Sequence, residues 1–334
     1  MKFYLAPLEG LTGYIFRNAQ AQHFNPLDKY FAPFIAANQH GKLSSRELND
    51  CLPAHNEGLN VVPQILTNKA ADFLLTTQKL QDLGYDEVNL NLGCPSGTVV
   101  SKNKGSGFLA QPDALNYFLE EVFSKTTAKV SLKTRIGKES PDEFAHLMEI
   151  YNQYPLEELI IHPRVQKDYY RNKPNLEVFR EAFLMSKNPI CYNGDLFTVK
   201  DYEKFVKDFP EVDRIMMGRG LIANPGLVHE ILNHKGLEKE TFKAFHDQVY
   251  KDYQEVLSGD RNVLFKLKEM WFYMSYMFTN VDKYAKKIRK SQRLNDYEEA
   301  VNLLFTEQEI IEGAGLFYRL GNEGWMWMKF DKLK

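Results

Sequence analysis

The chain has 334 residues, 44% of them hydrophobic and 26% charged, with a formal net charge of −2. That size allows one barrel-sized domain with a large core plus a smaller domain, and the charge excludes a uniformly basic nucleic-acid binder but not a local basic patch. No apolar run approaches the ~18 residues of a membrane span. The three cysteines stand far apart without CxxC, which argues against a disulfide framework or zinc site, so a cytoplasmic protein without metal or membrane attachment is expected.

From the first residues, Met1–Pro7 enters a strand-like segment directly, without a secretory core. Short β-branched and apolar runs then predict strands at Phe3–Pro7, Lys29–Phe34, Val61–Ile65, Glu87–Leu92, Lys129–Lys133, Leu159–His162, Ile190–Asn193 and Arg214–Gly218. Helical stretches separate them. One follows Asn68 over Lys69–Leu83 and stops at Gly84; another opens on Ser140-Pro141-Asp142-Glu143 as cap, first-turn proline and acids. Eight such repeats predict an α/β fold, a (β/α)8 TIM barrel over residues 1–236. Beyond Leu237 the period becomes helical through Phe242–Leu257, Val263–Phe278 and Tyr284–Phe305, which predicts a small C-terminal all-helical domain over 240–311. A tail over 312–334, closed by Trp325-Met326-Trp327-Met328, is expected to pack on a domain surface, because exposed Trp and Met in that density would be a liability.

A barrel gathers its chemistry at the C-terminal ends of its strands. Those ends carry Pro7-Leu8-Glu9, Gln64, Asn91 with Cys94, Lys133 with Arg135, His162 with Arg164, Asn193-Gly194-Asp195 and Gly218-Arg219-Gly220. The fourth strand stops on Gly93-Cys94-Pro95, which points a thiol out of the end of the sheet; the same turn also suits a small space-filling residue. Lys133 or Arg135, or both, can face the mouth and stabilise negative charge on a ligand ring, or can simply form a solvated strand exit. The glycines after the last two strands let main-chain N–H groups approach a ligand, and Arg219 adds a fork suited to phosphate. In the helical part, nine Lys and Arg between Arg261 and Arg293 face two acids, a local charge of +7 interleaved with Trp271, Phe272, Tyr273 and Tyr276. That segment suits a phosphate-backbone surface, and equally a helix pair with one solvated and one packed face.

In order and approximate spacing, Ala6-Pro7-Leu8-Glu9-Gly10-Leu11-Thr12 with Phe16-Arg17, Gln64, Asn91-Leu92-Gly93-Cys94-Pro95, Gly105-Ser106-Gly107, Lys133-Thr134-Arg135-Ile136-Gly137, His162-Pro163-Arg164, Asn193-Gly194-Asp195 and Gly218-Arg219-Gly220 resemble the tRNA-dihydrouridine synthase family. The match is strong over about residues 3–226. Phe265–Trp271 looks most like the bacterial branch acting on the 5′ side of the D-loop. The resemblance implies an FMN-bound TIM barrel that reduces the C5=C6 bond of a D-loop uridine in tRNA, with hydride from flavin N5 to C6, a proton from Cys94 to C5, and NADPH as reductant. By position, Pro7, Leu8, Glu9, Gln64, Lys133, His162, Asn193, Gly194, Asp195, Gly218 and Arg219 would hold or adjoin FMN. Asn91, Arg135, Tyr170, Arg171, Lys266 and Lys268 would meet the tRNA, with Asn91 on the uracil. No obligate protein partner is implied.

Two departures stand out. Leu8 replaces a common Met with little change of volume, and Pro163 replaces a usual Gly, which fixes φ and removes an N–H. Two rival readings use the same residues. One is an FMN-dependent barrel reducing a free pyrimidine or enone, for which the +7 segment is superfluous. The other is a non-catalytic RNA binder, for which Cys94, Lys133 and Arg219 are superfluous.

Overall fold

A computed structural model describes residues 1–316. Eight parallel strands close in chain order into one barrel: β1 Lys2–Leu5, β2 Lys29–Ala36, β3 Val61–Leu66, β4 Glu87–Leu92, β5 Lys129–Arg135, β6 Leu159–His162, β7 Ile190–Tyr192 and β8 Arg214–Met217. The TIM-barrel expectation is met. β2 runs two residues further than predicted, because the register shifts between Ala32 and Ile35. Pro33 lies inside that shift, where a strand tolerates a missing N–H.

Two separate packings follow from strands buried on both faces. Outward side chains such as Phe3, Leu5, Leu90, Leu132 and Ile161 join the helices in one large core. Inward ones, Tyr4, Ala6, Phe31, Val62, Ile160, Cys191 and Met216, fill the barrel. Its N-terminal end is ionic: Lys29 lies 2.7 Å from both Glu87 and Glu158, and Arg214 lies 3.8 Å from Glu158.

Helix ends differ from expectation where a side chain found another partner. The helix predicted from Lys69 is Ala70–Asp82; Asn68 bonds Lys102 O instead of capping it. The helix after Ser140 starts at Glu143, whose carboxylate accepts the N–H groups of Lys138, Glu139 and Ser140.

The C-terminal region consists of helices Lys239–Val256, Asp260–Met274, Asp282–Lys290 and Leu294–Glu307. The stretch predicted as one helix over Tyr284–Phe305 is therefore two, broken at Ser291–Arg293. Phe245 packs against Phe16 and Phe24 of the first barrel helix, Tyr14–Phe24, with ring centroids 5.6 and 5.8 Å apart. Ala314 and Leu316 are buried. The Trp- and Met-rich end of the expected surface-packed tail lies outside the described residues. Among the described residues no helix is long and apolar enough to cross a membrane.

Candidate active site at the barrel mouth

Cys94 follows β4 on a turn held from four directions. Asn91 Oδ1 accepts from the N–H groups of Gly93 (3.0 Å) and Cys94 (2.9 Å). Arg135 Nε donates to Gly93 O at 2.9 Å, Ser106 Oγ to Cys94 O at 2.7 Å, and Gln166 Nε2 to Pro95 O at 3.2 Å. Three consecutive carbonyls are thus tied to three different segments of the chain. Gly105 adopts φ +56°, and a Cβ there would lie 2.9 Å from Cys94 O, so only glycine lets the two loops meet without strain. The thiol is half-buried. Burial pushes its pKa up, against opposing pulls from the Ser96 N–H, Arg135 and Lys133, while Glu9 adds to the rise. A thiol so placed stays protonated at neutral pH and can act as an acid.

Lys133 pairs in register with Asn91 and shares this mouth. Among the described residues its ammonium has no hydrogen-bond acceptor. Burial and then the Arg135 charge lower its pKa to about 8. A half-buried cation without an acceptor calls for a negatively polarised partner.

His162 is buried at the end of β6, and Arg164 Nη1 lies 3.0 Å from its Nε2. An arginine can only donate, so this nitrogen accepts and the ring proton sits on Nδ1. Burial, then Arg135 and Arg164, hold the imidazole well below its usual pKa, keeping it neutral. Arg164 also donates to Asp195 Oδ1 (2.8 Å), and Arg219 reaches the same oxygen (2.6 Å). The Arg219 guanidinium lies 4.3 Å from the Tyr170 ring centroid; Arg135 lies 5.5 Å from that ring. Tyr170 thereby lies beside His162, 6.0 Å between centroids.

Other expected residues divide into those on the mouth and those engaged elsewhere. Pro7 and Leu8 stand half-buried at the end of β1, with Leu8 N–H on Thr12 Oγ1 at 2.7 Å. Gln64 Oε1 accepts from Asn91 Nδ2 at 2.7 Å. Asn193 Nδ2 donates to Met216 O at 2.8 Å, which joins the ends of β7 and β8. Gly194 is required by packing, since a Cβ would fall 2.0 Å from the Tyr192 hydroxyl, and Gly218 lies against Leu8. Arg171 is exposed.

Five of the expected site residues have partners within the protein. Glu9 pairs with Arg46. The Asp195 carboxylate accepts from both Arg164 and Arg219 and so holds the two cations together. Arg135, expected on the substrate, is buried and gives all three nitrogens to the carbonyls of Gly93, Val165 and Tyr169. Lys266 Nζ bonds Gly10 O at 2.9 Å and Lys268 Nζ bonds Ser291 O, so both lysines staple structure. The bonds of Ser106 and Gln166 to the Cys94 turn are not legible in the sequence, because both acceptors are main-chain oxygens that leave no residue-type signal, and Arg164 links His162 to an Asp195 distant in sequence.

Comparison with known proteins agrees with this architecture. The family model described as Dihydrouridine synthase (Dus) matches residues 4–313. The chain is similar to tRNA-dihydrouridine synthase B of Pasteurella multocida, 28% identical over 68% of this chain and 67% of that protein. It is also similar to a tRNA-dihydrouridine(16) synthase of Aquipseudomonas alcaligenes, 28% identical over 69% and 75% of the two chains. A probable tRNA-dihydrouridine synthase of Staphylococcus aureus is 26% identical over 76% and 78%. Among solved structures, morphinone reductase aligns with TM-score 0.50 at 13% identity, over 73% of this chain and 88% of that one. A 2-naphthoyl-CoA reductase complex aligns with TM-score 0.55 at 10% identity, over 70% and 50%. At that identity the likeness is one of fold. With a family match that runs from the first strand to beyond the last helix, the chain belongs to the dihydrouridine synthase family of oxidoreductases.

Proposed function

We propose that the protein reduces the C5=C6 bond of a D-loop uridine in tRNA, with FMN held at the barrel mouth and NADPH as the reductant. The observation that carries this reading is one mouth holding a protonated thiol on a fixed turn and a lysine without an acceptor. The residues fit a flavin. Lys133 would supply a cation beside the ring, neutral His162 an Nδ1–H donor, and Arg219 a cation for a phosphate. When bound, the flavin supplies hydride to uracil C6. Cys94 gives its proton to C5, Asn91 holds the thiol's turn, and Lys133 balances charge at the mouth.

The helix Asp282–Lys290 supports an RNA partner. It buries Tyr284 and Ile288 and exposes Lys283, Lys286, Lys287, Arg289 and Lys290. Lys283 pairs with Glu307. The others form a basic face suited to phosphates, and a stacked tRNA base must be unstacked before it can reach any barrel mouth. Affinity for tRNA should fall steeply with salt. Replacing Lys286 and Lys290 by Gln should reduce the slope of log affinity against log salt by about one for each phosphate left without its cation, read by filter binding; an unchanged slope places the RNA elsewhere.

Lys133 makes the cofactor site pH-dependent. Its folded pKa is depressed, so its charge is present below about pH 8 and lost as pH rises through that value. Affinity for the flavin, followed by fluorescence quenching, is therefore expected to weaken between neutral pH and pH ~9. Lys133→Met should bind more weakly with a flat profile; the same pH dependence in that variant would assign it to another group.

The direct test of the function is to mix purified protein, FMN, NADPH and unmodified tRNA and map dihydrouridine by position. D-loop dihydrouridine is the expected product. Reduction of free uracil or enones without reduction of tRNA would overturn the reading in favour of a small-molecule reductase.

A further inference from the structure

Polar side chains continue from the Cys94 turn down the inner wall of the barrel to its ionic floor. In β3, β4 and β5, Gln64 pairs in register with Asn89, Asn89 with Ser131, and Glu87 with Lys129, which stacks them in successive layers. Gln64, Glu87, Asn89, Asn91 and Ser131 are all buried. We propose that Glu87 and Ser131 are positioning residues: through a one-directional hydrogen-bond relay they fix the Gln64 and Asn91 amides and hence the aim of Cys94.

The direction follows from the two ends. The N–H groups of Gly93 and Cys94 can only donate, so Asn91 must turn its oxygen to them and its nitrogen to Gln64 Oε1. Gln64 then offers its nitrogen to Asn89 Oδ1 at 2.8 Å, and Asn89 offers its own to Ser131 Oγ at 3.0 Å. That leaves Ser131 its proton to give to Glu87 Oε1 at 3.0 Å, the alternative acceptor Val88 O being farther at 3.5 Å. Lys29, 2.7 Å from the other oxygen, opposes the effect of burial and favours the Glu87 anion, which accepts and cannot donate. Both ends demand the same polarity. A group able to donate at position 87, or no hydroxyl at 131, releases the amides to flip, and a flipped Asn91 would turn its NH₂ toward two N–H groups.

The turnover arm of the test rests on Cys94 being the proton donor of the proposed reaction; the thiol arm does not. Full-length wild type, Glu87→Gln, Ser131→Ala and Ser131→Thr are compared for iodoacetamide labelling of Cys94, resolved by peptide mass spectrometry, and for kcat and KM with tRNA. In the first two variants Cys94 should label about fivefold faster or more as its turn loosens, and Ser131→Thr, which keeps the hydroxyl, should stay within about twofold of wild type. kcat should fall about tenfold with KM unchanged, because a misplaced acid costs rate without touching the RNA surface. A folded Ser131→Ala protein whose Cys94 labels within about twofold of wild type overturns the relay, and that milder variant decides if Glu87→Gln does not fold. A wild type that leaves tRNA unreduced counts against the proposed function alone, and the labelling rates then decide the relay.

Discussion

Cys94→Ala is expected to lower dihydrouridine formation by ~10²–10⁴-fold, the usual contribution of a positioned acid, while leaving flavin binding unchanged. The side chain is half-buried and its turn is held by main-chain and neighbouring-loop bonds, so deleting the sulfur disturbs none of them. Reduction of the proposed flavin by NADPH should keep its wild-type rate, and the loss should show only when tRNA is added. Burial moves the thiol's pKa up, away from the pH near 8 at which Lys133 loses its charge, so a decline in activity near pH 8 is assigned to the lysine. Cys94→Ala retaining turnover within about tenfold of wild type would remove the cysteine from the proton step.

Lys29→Met is expected to have the largest effect on stability. Lys29 is the shared partner of Glu87 and the fully buried Glu158, at the N-terminal end of the barrel. Removing one partner of a buried ionic cluster costs about 3–5 kcal/mol, because the remaining charge is left uncompensated. Urea denaturation at neutral pH should show this loss. The sign of its pH dependence is fixed by Glu87, whose carboxyl is pushed up by burial even with Lys29 opposing. A raised carboxyl takes up its proton more readily folded than unfolded, so the deficit should shrink as pH falls toward the acidic range. A Lys29→Met protein as stable as wild type at neutral pH would show the floor to be hydrated.

Strand positions were legible because each strand is a short β-branched run bounded by punctuating residues, and all eight appear within a few residues of their predicted bounds. Gly93-Cys94-Pro95 was legible because those residue types leave a turn little choice. Which cations were available was not. Arg135, Lys266 and Lys268 read as charge for a ligand, yet their acceptors are carbonyl oxygens that every residue possesses. The ion pairs of Asp195 and Glu9 were hidden likewise, since their arginines are distant in sequence. Asn89 and Ser131 interrupt apolar runs in β4 and β5, a signal present in the sequence whose meaning depends on cross-strand register.

The aromatic seam where Phe245 meets Phe16 and Phe24 has one more implication. The change of periodicity near residue 237 marks where the architecture turns all-helical, but the hydrophobic interior runs across it without a gap. A polypeptide ended there would leave phenyl rings of the first barrel helix facing solvent. The barrel and the helices after it thus share one buried interior across that junction.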